Sequence, residues 1–192
     1  MTTDPTTTDP TTTDPTTTDA TTTDDGTGTT TVDERTDLLA SLTRHRWFVT
    51  FTLRGLSDEQ ARRRPTASAL SLGGLLKHVA TSEDQWARFL VVGAAAMGAG
   101  GDEWADGFEM GAQETVEGLL AQYAEVAART DELVRTLPDL GAAQPLPAAP
   151  WFEPGASWSA RRVLLHVIAE TAQHAGHADI LRESIDGQKT MG

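Results

Sequence analysis

Four stretches of the chain repeat apolar positions at intervals of three and four residues, the period of a helix with one buried face. The first runs from about Asp33 to Arg54: Leu38, Leu39, Leu42, Arg46, Val49 and Leu53 share a stripe, and Gly55 stands where a C-terminal cap belongs. The second runs from about Leu72 to Val92, with Leu72, Leu75, Leu76, Val79, Trp86 and Leu90 as its stripe and Gly93 at its end. The third spans about Glu114 to Leu137 and stops at Pro138. The fourth follows Ser159 as N-cap and continues to Ile185, with Gly187 just beyond.

The segments between these stripes are read from their turn chemistry. Ser57-Asp58-Glu59-Gln60 has the spacing of a capping box and predicts a short helical turn after the first helix. Gly93 to Met110 is Gly/Ala-rich and long for a bundle connection, and long loops often cover sites. Pro138 to Ser157 contains Pro138, Pro145, Pro147, Pro150 and Pro154, which argues against regular structure. Trp151, Phe152 and Trp158 predict that it packs across the bundle. With no convincing strand, the pattern predicts an all-α four-helix bundle over residues 33–192.

Composition changes this picture mainly at the N-terminus. Residues 2–24 repeat Thr-Thr-Thr-Asp-Pro with a period of five and end in a Gly/Thr run, and residues 1–32 have nothing to bury, which predicts a disordered tail. They hold six Asp and no Lys or Arg, so of the formal net charge of −13 the rest of the chain carries −7. An acidic surface with no Lys/Arg stripe excludes nucleic acid as the expected partner, and nothing favours an anionic membrane. The chain has no cysteine, so it has no disulfide, no thiolate ligand and no cysteine nucleophile; thiol chemistry would need an imported thiol. The start lacks the basic and apolar regions of a secretory signal, and Phe89 to Gly100 is too short and Gly-rich to span a bilayer; the expected location is cytoplasmic.

Candidate chemistry sits on the fourth helix. Its inward stripe contains Val163, Val167, Leu181 and Ile185, and Glu170 and His174 fall in the middle of the same stripe, one turn apart. An ionised carboxylate in an apolar seam costs several kcal/mol unless a cation or donor compensates it. A metal would satisfy both residues, and a hydrogen-bonded Glu–His pair is the competing account. His78, at the edge of the second helix's stripe, offers a third ligand across the seam. Two imidazoles and a carboxylate suit zinc, with nickel, iron or manganese as alternatives, and three protein ligands leave an open, catalytic position. His166 and His177 flank the stripe, His45 reads as a surface residue, and Glu83 lies inside the second stripe as a polar partner behind the site.

The residues Leu75-Leu76-Lys77-His78-Val79-Ala80 with Glu83 and Trp86, and the run from Leu165 through Glu170-Thr171-Ala172-Gln173-His174 to Arg182, resemble the DinB-like superfamily. They are most similar to its actinobacterial branch of mini-circle-type proteins, over about Asp33 to Gly187. The resemblance implies a four-helix bundle with a three-residue metal site. Many members have three histidines; the related mycothiol-dependent maleylpyruvate isomerases use His, Glu and His, and that pattern carries over to His78, Glu170 and His174.

The activity implied is a metal-dependent S-transferase or isomerase that joins a low-molecular-weight thiol to a small electrophile. The Ala/Arg-rich, Lys-poor composition is compatible with an actinobacterial source, which makes mycothiol the expected cosubstrate. His177 is the candidate for handling protons, and Arg182, with Arg161 and Arg162 as alternatives, for binding a carboxylate of cofactor or substrate. The other readings are a metal-dependent hydrolase, with Glu170 or Glu83 as base, and a non-enzymatic metal-binding protein linked to stress or mobile elements. Related bundles often pair, so a homodimer is compatible, although no exposed face marks the contact.

Overall fold

The structure, a computed structural model, describes residues 32–97 and 108–190. The repeat tail therefore lies outside the described residues apart from Val32. Four long helices form the body: α1 (Glu34–Phe51), α3 (Leu72–Val92), α4 (Val116–Thr136) and α5 (Ala160–Asp186), with a short α2 (Asp58–Arg62) after α1. The all-α four-helix bundle expected from the sequence is the observed architecture. Among the described residues no helix is long and apolar enough to cross a membrane.

The helices begin and end where local chemistry satisfies their open backbone groups. Ser57 Oγ accepts from Gln60 N while the Gln60 side chain accepts from Ser57 N, completing the predicted capping box. Ser71, Thr115 and Ser159 cap α3, α4 and α5 through their hydroxyls. Gly187 closes α5 in the left-handed region at φ 82°, a conformation that favours glycine.

Packing fixes the topology. α5 lies against α1 and α3, and α4 lies against the same two helices, so α1 and α3 face each other across a diagonal. One apolar cluster joins Val49 of α1 and Leu53 in the turn after it to Leu72–Ala80 of α3, Leu119–Val126 of α4 and Ala175–Leu181 of α5. The other joins Leu38 and Leu42 to Trp86–Leu90, Val134 and Val163–Val167. The C-terminal half of α1 thus meets the N-terminal halves of α3 and α4. α3 and α4 are parallel neighbours, and so are α1 and α5. A 21-residue helix is about 31 Å long, and a parallel neighbour can be reached only by returning that distance. The length of the connection after Gly93 follows from this return.

The proline-rich stretch departs from expectation. Ala143–Pro145 (β1) and Ser157–Ser159 (β2) form a two-stranded antiparallel ribbon with Gln144 opposite Trp158. Both strands are edges, so Pro145, lacking an N–H, is tolerated at the end of β1. As expected, the stretch packs on the bundle: Leu146, Phe152 and Trp158 cover the second cluster, with Trp158 stacked on Trp86 at 5.1 Å.

Between the two clusters every long helix turns polar at the same height. α1 contributes Arg46, α3 Ser82 and Glu83, α4 Thr130 and Asp131, and α5 Glu170, Thr171 and His174. The candidate ligands belong to this layer or border it.

Candidate metal centre

His78 from α3 and Glu170 and His174 from α5 converge on one recess, with one ligand atom of each lying within 4.8 Å of the other two. His174 Nε2 is 3.6 Å from Glu170 Oε2, and the His78 and His174 rings meet edge to face with centroids 4.8 Å apart. Ligands about 2.0–2.2 Å from a tetrahedral zinc stand roughly 3.4 Å from one another. The Glu170–His174 pair already has nearly that spacing, and side-chain adjustments of about 1 Å bring in the rest. Two nitrogen donors and one carboxylate fit a divalent ion of the zinc type.

Burial distributes the three residues differently from the periodicity. His78, placed at the edge of its stripe, is 8% exposed, and His174 is 9% exposed. Glu170, placed in the middle of the seam, keeps 27% of its side chain in solvent. On α5 the buried line runs through Val163, Val167, Thr171, His174 and Ala178, and Glu170 stands one position off it, at the mouth of the recess. Burial pushes the His78 imidazole down to about 4, helped by the neighbouring His174. Burial also lowers His174, against the pull of Glu170. Both rings are therefore neutral at pH values where a metal needs their lone pairs.

His78 has a wall from the end of the Gly93 to Met110 connection, the stretch expected over the site, although the sequence reading did not single out its residue. The chain returning to α4 lays residues 108–114 over the start of α3, and Phe108 stacks on the His78 ring at 3.8 Å and 17°. This approach requires Gly73 and Gly74: a Cβ on Gly74 would lie 1.9 Å from Phe108 O, and one on Gly73 would meet Met110 Sδ at 2.3 Å. Lys77 Nζ donates to Glu109 O at 3.2 Å and pairs with Glu114, and Arg62 Nε donates to Gly111 O at 3.3 Å. Adjacent glycines inside a helical stripe were the available signal.

The other expected residues divide. His177 reaches the site: its Nδ1 is 3.5 Å from His174 Nδ1. His166 instead sits edge-on against Trp86 and Trp158, and His45 is half-buried beside Phe48. Arg182 is not brought to the ligands as a free cation. It is 3% exposed, with Nη1 donating to Thr52 O and Arg54 O at 2.6 and 2.8 Å, Nε to Asp186 at 2.9 Å, and Nη2 to Gln188 and Asp186. All five N–H groups are thereby used within the chain, so the guanidinium ties the end of α5 to that of α1. Arg161 pairs with Glu34, and Arg162 lies over the Trp158 ring. The stretch Gly93 to Met110, expected over the site, is described at its two ends only; residues 98–107 lie outside the described residues.

With this geometry in place, comparison with known proteins is informative. Residues 37–187 match the family model described as Mycothiol-S-transferase. The chain belongs to that family. The DinB-like resemblance of its motifs agrees with the match, which contains all three candidate ligands. Among solved structures, a conserved protein of locus from Enterococcus faecalis is similar, with 16% identity and a TM-score of 0.59. The match covers 82% of this chain and 100% of that one, and it shows the shared fold. No curated protein sequence matches the chain.

Proposed function

We propose that the protein is a metal-dependent transferase that joins a low-molecular-weight thiol, mycothiol in the first instance, to a small electrophile. His78, Glu170 and His174 would hold the divalent ion, with zinc best suited to the donor set. The observation that carries this reading is the convergence of two neutral imidazoles and a carboxylate in a chain whose family is that of mycothiol S-transferases. When bound, the ion supplies the positive charge that lowers the pKa of a thiol beside it, so that thiolate forms at neutral pH.

The chain's own residues prepare the site. Nδ1 of His177 stands 3.5 Å from Nδ1 of His174; with His174 as the donor, its Nε2 lone pair would face Glu170 and the recess. In that arrangement His177 would fix the tautomer of a ligand. Phe108 and the buried half of His78 exclude water from one side. Glu170, half-exposed, marks the side from which thiol enters and through which its proton leaves to water. The bond formed joins the thiol sulfur to the electrophilic carbon while that carbon's π bond, or its bond to a leaving group, breaks; the released electron pair takes a proton from water or departs with the leaving group. A cytoplasmic setting belongs to this reading, because low-molecular-weight thiols are kept reduced there.

The test is conjugation by metal-loaded protein with mycothiol over a broad electrophile panel, alongside native mass spectrometry for metal and thiol. Wild-type protein is expected to bind both and turn over, and His78→Ala to lose metal and turnover together. Metal-loaded protein with neither thiol binding nor conjugation would sink the reading. Turnover that needs no thiol would favour hydrolysis, for which Glu83 is a poor base because both its oxygens are held by Arg46.

A further inference from the structure

Behind the three candidate ligands the recess carries a second carboxylate that the proposed chemistry leaves unused. Glu83 follows His78 by five residues on α3, is 1% exposed and lines the same recess as His78, Glu170 and His174. Arg46, reaching across the bundle diagonal from α1, donates to both its oxygens: Nε to Oε2 at 3.1 Å and Nη2 to Oε1 at 2.5 Å. Arg46 Nη1 donates to Asp131 Oδ1 on α4 at 2.7 Å. The buried Tyr123 hydroxyl lies beside the same carboxylate and beside Thr171.

Geometry gives Glu83 a restricted role. A carboxylate gripped bidentately by a buried guanidinium does not swing to become a ligand. Of the cluster's charged groups only Glu83 lines the recess; Arg46 and Asp131 do not, and exposed Arg135 stands 3.7 Å from Asp131 on the far side. Glu170 offers the ligand set one negative charge, so a divalent ion there leaves one positive charge in excess. Glu83 is the cluster's charge that faces this excess, through a poorly screened interior where such interactions outlast those at a surface.

We propose that Glu83 is a positioning residue of the metal centre: held in place by Arg46, it raises the affinity of the recess for a divalent cation without ligating it. This rests on the metal reading of His78, Glu170 and His174. The test is competition titration with Zn2+ and Co2+ against a chromophoric chelator, with thermal unfolding of each metal-free protein. The variants are Glu83→Gln, the double variant Arg46→Met/Glu83→Leu, and His78→Ala as reference.

Wild-type protein is expected to bind an ion that His78→Ala does not. Glu83→Gln and the double variant are each expected to lose about ten- to a hundredfold in affinity. The double variant is expected to fold, because apolar groups of similar volume commonly replace a buried pair and Asp131, partly exposed, keeps Arg135 at 3.7 Å. It therefore decides the matter even if Glu83→Gln fails to fold. Wild-type affinity in the double variant overturns the role of Glu83 and leaves the metal centre standing. A wild-type protein that binds neither ion overturns both.

Discussion

His78 shows how a single residue's environment sets its chemistry. On its own helix it lies at the margin of the apolar stripe, and only the facing α5 and the returning Phe108 bury it. Its folded pKa falls from 6.5 to about 4, so in the unfolded chain it takes up a proton at a higher pH than in the metal-free folded protein. The stabilising contribution of neutral His78 is thus complete above the unfolded value. It declines as pH falls through the window between the two and is gone below the folded value. His174 is shifted in the same direction. Urea denaturation of metal-free protein should show a midpoint that drops as pH falls from 6.5 to about 4. His78→Gln should flatten that drop, and parallel curves for the two proteins would refute the assignment. Sequence periodicity made the three ligands candidates but ranked their burial wrongly. A stripe averages over a helix face, whereas exposure depends on which neighbour covers each position.

At the scale of elements, the start of α3 is shaped by what lies on it. Alanine is ordinarily better than glycine inside a helix by about 1 kcal/mol. At Gly74 that gain is opposed by backbone, since the new Cβ would stand 1.9 Å from Phe108 O; at Gly73 it meets Met110 Sδ, the mobile part of a flexible side chain. Overpacking against rigid neighbours costs about 1–3 kcal/mol. Gly74→Ala should therefore destabilise despite its higher helix propensity and should weaken metal binding by displacing Phe108 from His78. Gly73→Ala should be the milder of the two. Chemical denaturation of both variants checks the order, and a Gly74→Ala protein more stable than wild type would contradict the contact. The ribbon of β1 and β2 belongs to this scale as well. Five prolines hid it because three paired residues per strand leave no alternating pattern to read.

Across the whole molecule, one polar layer divides two apolar clusters and draws on all four long helices. Arg46 is its hub. Burial alone would lower the guanidinium's pKa, and the Glu83 and Asp131 carboxylates outweigh it and raise it. Arg46→Ala strands Glu83 as an uncompensated buried charge and should cost about 3–5 kcal/mol of unfolding free energy, read by urea denaturation. Metal should act in the other direction by tying α3 to α5. At a hundredfold excess over Kd it should add about 2.7 kcal/mol, seen as a rise of several degrees in Tm that a chelator reverses. A Tm indifferent to zinc and to chelator would speak against the centre. The sequence by itself determined the four helices, the capping box at Ser57, the Ser159 and Gly187 ends of α5 and the one-turn spacing of Glu170 and His174, because helical period, cap chemistry and spacing are local properties of the chain. Only the tertiary structure decided that α3 and α4 run parallel, that Phe108 covers His78, that Arg182 serves the fold and that Arg46 answers Glu83. Each of these joins positions far apart in sequence, and their partners are chosen by how the helices pack.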